Sequence, residues 1–234
     1  SDLLEKGHID YIAREAINKY GVDPIIAVKA ACHHASRYFL LNNRGAIAPG
    51  YLADFAVIDN FKDFNVEMVF KKGVLYWNNG ELRDFEAPKI EEYLDKRAHD
   101  TFHVSTLTPD DFRDTRQRGV LGMVPGEIIT TDNGYADHVD LEKDILKIAV
   151  VERHKGTHHI GLGYIQGYGL KSGAVATSIS HDSHNIIVVG ANEEDMAAAV
   201  NRVVELGGGI VVMDDGKVLG ELQLQIAGIM SEAP

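Results

Sequence analysis

Apolar positions in the first forty residues recur at helical spacing. Ile9, Ile12, Ala13, Ala16 and Ile17 fall on one stripe that Gly21 ends, and Asp23 followed by Pro24 reads as an N-cap with proline at the first helical position. The spacing predicts a second helix from Pro24 to about His34 and a short one around Ser36 to Leu41. From Gly45 the period changes. A Pro49-Gly50 turn leads to a strand at Phe55–Ile58, and Val66–Phe70 with Val74–Trp77 flank Lys71, Lys72 and Gly73 as a hairpin. About 35 residues are too few for an independent core, so this β unit should pack on something else.

The stretch from about Ala87 to Asp100 is charged, reads as helical and makes the best internal boundary. Beyond it, Phe102–Leu107, Gly119–Thr130, Ile145–Glu152, Ile160–Gln166, Gly173–Ile179 and Ile186–Val189 read as strands separated by turn residues. A helix follows. Asn192 is its N-cap, Glu193, Glu194 and Asp195 suit the positive helix start, Gly207 to Gly209 stop it, and Met196, Ala199, Val200, Val203 and Val204 give its apolar face. Ile210–Met213 and Lys217–Leu222 then form a hairpin around Asp214, Asp215 and Gly216. The fold class is α+β. The glycine run GLGYIQGYGLKSG contains a GxG but no strand-to-helix phosphate loop or GxGxxG, so it reads as turns and close packing.

Composition narrows the function classes. At 234 residues and 45% hydrophobic content the chain can hold one large domain or two smaller ones. No run of about 18 apolar residues and no basic patch followed by an apolar core occurs, so neither a membrane span nor a signal peptide is expected and the default location is cytoplasmic. A formal charge of −12 argues against nucleic acid or anionic lipid as a partner. Cys32, the single cysteine, cannot pair internally and fits a reducing compartment. Adjacent helical residues point about 100° apart, so His33 and His34 do not make it a nucleophile, and it is expected to be small and buried.

The chemistry-bearing residues concentrate in ISHDSHNIIVVG, Ile179 to Gly190. His181, Asp182, His184 and Asn185 stand against the apolar run Ile186–Val189, a polar cluster at the end of a buried strand. In an extended segment Asp182 and His184 would share one face and His181 and Ser183 the other. Histidine and aspartate also cap turns and satisfy nearby backbone groups, so the residues alone leave a structural turn as the alternative. Several of the 11 histidines come in groups, His33 with His34, His154 with His158 and His159, and His181 with His184. HxH, HExxH, paired CxxC and the HxE with PCxxC pattern of cytidine-type zinc deaminases are absent, so no complete metal site is legible from spacing.

The residues from VVERHKGTHHIGLGYIQGYGLKSGAVATSISHDSHNIIVVGANEEDMAAAV to GGGIVVMDDGKVLGELQLQIAGIMS resemble the C-terminal domain of bacterial adenine deaminases of the amidohydrolase superfamily. ERH, GLKSGA, HDSHNIIVVG, NEEDMA and GGGIVV occur in that family's order. Upstream, EKGHIDYIAREAI, DPIIAVKAA and GAIAPGYLADFAVID resemble the last helices of an amidohydrolase barrel and the return of the chain into its accessory β-sandwich. The resemblance covers essentially the whole chain. It implies terminal barrel helices at 1–44, part of the β-sandwich at 45–86, a helical linker at 87–101 and an α+β, mixed α/β C-terminal domain at 102–234. It also implies that the chain is an excised C-terminal portion, lacking most of the metal-binding barrel.

In the family, the complete enzyme converts adenine and water to hypoxanthine and ammonia, with metal-activated hydroxide attacking C6. The resemblance implies a binuclear Mn(II) or Fe(II) centre whose ligands are not in this chain, adenine as small-molecule substrate, a homo-oligomer, a dimer by default, and a fragment inactive alone. It makes His181, Asp182 and His184 candidates for substrate orientation or proton transfer, with Ser183, Asn185, Glu152, Arg153 and His154 as substrate-binding candidates. His158 and His159 rank below them as exposed loop residues. Two other readings remain: a stand-alone purine-binding or regulatory module, and an assembly domain mediating oligomerisation through apolar strand edges. A lower-ranked variant keeps a metal in the chain, with His154, His181, Asp182 and His184 as ligands.

Overall fold

A computed structural model describes residues 2–86 and 88–232 of the protein. The chain divides into two compact units, one within residues 1–88 and one within 89–234. Among the described residues, no helix is long and apolar enough to cross a membrane.

The first unit opens with α1 (Asp2–Lys6) and α2 (Ile9–Asn18). Asp23 then caps α3 (Pro24–Lys29), its Oδ1 accepting from the Ile25 and Ile26 N–H groups at 2.9 and 3.1 Å. The helix does not stop at His34 as its spacing suggests. A π-helical turn, Ala30–His34, carries it into α4 (Ala35–Tyr38), so the separate helix expected at Ser36 is a continuation. That turn leaves Cys32 exposed, contrary to expectation, while Ala27 and Ser36 take the buried positions. Four antiparallel strands follow in sheet order: β1 (Phe55–Ile58), β2 (Val66–Lys71), β3 (Val74–Asn78) and β4 (Glu81–Leu82). Apolar side chains of this unit stay largely exposed, Ile12, Ile25, Ile26 and Ile47 among them, and both buried apolar clusters belong to the second unit.

The second unit begins with α5 (Glu92–His99), and its centre is an eight-stranded sheet. The strands are β5 (Arg118–Met123), β6 (Thr130–Ala136), β7 (Ile145–Val151), β8 (Ile160–Gln166), β9 (Ala174–Thr177), β10 (Ile186–Gly190), β11 (Gly209–Asp214) and β12 (Lys217–Gln223). Their spatial order is β12-β11-β9-β10-β7-β8-β5-β6, antiparallel except for the parallel pair β5–β8. One face packs on α6 (Glu193–Glu205): Ala149, Val151, Ala174, Ala176, Ile186, Val188, Val211 and Met213 meet Met196, Ala197, Ala199, Val200 and Val203. The start of α6 is tied down twice. Asn192 Oδ1 accepts from Asp195 N–H at 2.7 Å, and the buried Asp195 carboxylate accepts from Gly216 N–H at 2.8 Å, joining helix to the β11–β12 turn.

Two predicted strands differ. Phe102–Leu107 is extended but unladdered, because the Asn201 side chain of α6 takes both backbone groups of Leu107 at 2.9 and 2.8 Å. Gly119–Thr130 is not one strand: a turn at Pro125-Gly126 breaks it into the end of β5 and the start of β6.

Candidate functional site

The candidate residues meet at one end of this sheet for a topological reason. β7 and β10 are antiparallel neighbours in which Ile186 pairs with Val151, so the segment entering β10 and the segment leaving β7 emerge side by side. The first is HDSHN, in the connection from β9; the second is Glu152–His159, the loop of the β7–β8 hairpin, closed by Glu152 N–H to His159 O at 3.0 Å. Two more segments border them. His103 N–H donates to Arg153 O at 2.8 Å, and Ser178, fully buried, donates its hydroxyl to Gly228 O at 2.5 Å.

HDSHN is a turn over residues 181–184, not the extended segment of the alternation reading. His184 N–H donates to Ser180 O at 2.5 Å and His184 takes a left-handed φ of 51°. The turn therefore brings His181 and His184 together, ring centroids 5.8 Å apart and edge to face, instead of placing them on opposite faces. His181 also contacts the Asp182 carboxylate, and both side chains project into solvent, 83% and 85% exposed. His184 and Asn185 face inward, where His184 Nδ1 and Asn185 Oδ1 are buried without a hydrogen-bond partner among the described residues.

The second group of candidates holds main chain. Arg153, only 2% exposed, donates from Nε to His184 O at 2.6 Å, from Nη1 to Thr101 O at 2.8 Å and Thr101 Oγ1 at 3.1 Å, and from Nη2 to Ala227 O at 2.9 Å. Its guanidinium lies 4.3 Å from the Phe102 ring centroid. Burial lowers its pKa. His154 Nε2 lies 2.9 Å from Ser183 O; a carbonyl only accepts, so this nitrogen carries the proton. Thr101 and Ala227 had no sequence signal, since what they offer is mostly backbone oxygen.

Glu152 organises its own loop. Oε1 accepts from His154 N–H at 2.5 Å and Lys155 N–H at 2.9 Å, and Oε2 from Thr157 N–H at 3.2 Å and Thr157 Oγ1 at 2.8 Å. Desolvation favours the neutral acid, but these four donors outweigh it and lower the pKa from 4.5 to about 2. A depressed carboxyl pKa contributes stability that is present above the unfolded value and lost as pH falls through the folded one. The 152–159 loop is accordingly expected to hold down to about pH 4.5 and to loosen between there and about pH 2. Peptide-level amide exchange across that range would show it, and Glu152→Gln would bring the loosened state to neutral pH.

His158 bridges elsewhere on the same loop, 2.9 Å from Asp111 Oδ1 through Nε2 and 3.1 Å from Ser105 Oγ through Nδ1. His159 is exposed. The ligand set His154, His181, Asp182 and His184 does not assemble. Among the described residues, three metal-ligating atoms converge within 4.8 Å at Asp95, His99 and Glu232.

Comparison with known proteins follows the same division. Residues 126–234 match the adenine deaminase C-terminal domain and residues 3–76 the amidohydrolase family. An adenine deaminase of Kosmotoga olearia is 41% identical over 99% of this chain and 41% of its own length. One from Brucella anthropi is 42% identical over 100% of this chain and 42% of its own, and one from Dehalococcoides mccartyi 38% identical over 100% and 42%. The chain spans about two fifths of the length of the curated relatives it matches. Both units are thus matched in order, one by the amidohydrolase family and one by the adenine deaminase C-terminal domain, with identity near 40% to proteins named adenine deaminase along the whole sequence.

Proposed function

We propose that this chain is the C-terminal part of an adenine deaminase and that its HDSHN turn serves the site where adenine and water become hypoxanthine and ammonia. The carrying observation is the turn itself: Asp182 and His181 offered to solvent, with His184 Nδ1 and Asn185 Oδ1 buried and unpaired among the described residues, on a backbone gripped from the neighbouring loop. In this reading residues 1–44 end the amidohydrolase barrel, 45–86 belong to its β-sandwich, 87–101 link and 102–234 form the C-terminal domain. The exposed isoleucines of the first unit support it, because such surface ordinarily meets further protein. The enzyme would be a cytoplasmic homo-oligomer acting in purine salvage.

The family implies a binuclear manganese or iron centre, and the described residues do not fit one. Asp95, His99 and Glu232 bring three ligand atoms, too few for two ions, and His99 Nδ1 already lies 2.9 Å from Asp95 O. The metal chemistry therefore belongs to residues outside this set. What the turn contributes is hydrogen bonding to a purine edge, for which Asn, Asp and His supply the matching donors and acceptors, and proton transfer at Asp182 or His181. The chain alone would be inactive. The test is ammonia release from adenine by the complete enzyme that carries this chain, supplied with Mn(II) or Fe(II). Hypoxanthine formed in equal amount is expected; a metal-loaded, folded enzyme that leaves adenine untouched would overturn the reading.

A further inference from the structure

We propose that Arg153 and His154 are positioning residues: they hold the consecutive carbonyls His184 O and Ser183 O, and so set the direction in which the His184 and Asn185 side chains leave the backbone. The inference deepens the deaminase reading and rests on it. It changes the part these two residues play, since guanidinium and imidazole are both directed at main-chain oxygens.

Arg153 carries the argument furthest. A buried arginine ordinarily finds a carboxylate, whereas this one finds three main-chain carbonyls, a threonine hydroxyl and an aromatic face. A cation placed so orders backbone, because each carbonyl comes from a different segment: Thr101 before the sheet, His184 in the turn and Ala227 near the chain's end. The planar fork fixes the three directions together, as a flexible ammonium would not.

His154 grips the same turn one residue away, from the exposed side. Its own position is not free, because the Glu152 carboxylate accepts its backbone N–H. The ERH segment thus works as a unit. Glu152 shapes the loop, and Arg153 and His154 pass that shape to the turn. The turn needs such support because a left-handed φ at His184 is one that a side-chain-bearing residue rarely adopts unaided. Release of the carbonyls would let the backbone at 183–184 relax and swing both inward-facing side chains.

His154 is the residue to test, since it is exposed and its loss leaves the core intact. In the complete enzyme, His154→Ala is expected to speed amide exchange at residues 183–185 on the order of tenfold while the melting temperature stays put. It should also lower kcat for adenine on the order of tenfold with KM nearly unchanged, because misplacement, not lost binding, is the defect. His154→Gln, which can return a donor near the Nε2 position, should restore both. Wild-type exchange at 183–185 in the alanine variant would overturn the proposal, as would faster exchange with unaltered kcat. A wild-type enzyme inactive on adenine would sink the deaminase reading instead, and the exchange measurement would still decide the clamp.

Discussion

Arg153→Ala is expected to destabilise the second unit by about 3–5 kcal/mol, near the upper end for a single substitution. The side chain is 2% exposed, and its removal strips donors from Thr101 O, Thr101 Oγ1, His184 O and Ala227 O at once. A buried carbonyl left without a partner costs about 1–3 kcal/mol, and the vacated volume beside Phe102 adds a packing loss. The simple sum overshoots, because the three carbonyls sit on connecting segments that can turn partly toward water; relaxation brings the total down to the stated range. Arg153→Lys should fall between, keeping the charge and losing the fork. Urea unfolding followed by far-ultraviolet circular dichroism measures the effect as a lowered midpoint at constant slope. A loss below about 1 kcal/mol would mean that the four acceptors have other partners in solution.

The elements legible in the sequence are those whose signals are local. β7, β8 and β10 are short runs of β-branched and apolar residues, and α6 announces itself through Asn192, the acidic first turn and the glycines after it. The misses have causes of two kinds, one long-range and the others local. Phe102–Leu107 has a strand's composition, yet both backbone groups of Leu107 go to Asn201, a partner 94 residues away that no pattern reveals, and His103 N–H goes to Arg153 O. β6 reads TTDNGYA, a polar edge strand without apolar alternation, so it merged with its neighbour across Pro125-Gly126. Helix α3 passes through its π turn because Ala30 to His34 contain no breaker.

For the site, the residue types were readable and their use was not. HDSHN stood out as polar residues against an apolar run, but a turn and a strand end have the same composition, and it is the His184 N–H to Ser180 O bond with His184 at φ 51° that tells them apart. Arg153 and His154 looked like ligand-binding groups because their chemistry permits it. Their partners are backbone oxygens, which every residue owns and no sequence marks.

The claim that the turn serves deamination is tested most directly at Asp182. Its side chain is 85% exposed and, among the described residues, its ion pair is with its neighbour His181, so the fold does not depend on it. Asp182→Asn preserves size and hydrogen-bonding reach while removing the charge and the proton-carrying capacity. Steady-state kinetics with adenine on the complete enzyme, beside an unfolding curve, separates function from stability. The account predicts an unchanged midpoint and a kcat/KM lowered on the order of 100-fold, as expected when a proton-handling or orienting group is lost. Wild-type turnover and wild-type substrate affinity in Asp182→Asn would contradict it and leave HDSHN a structural turn.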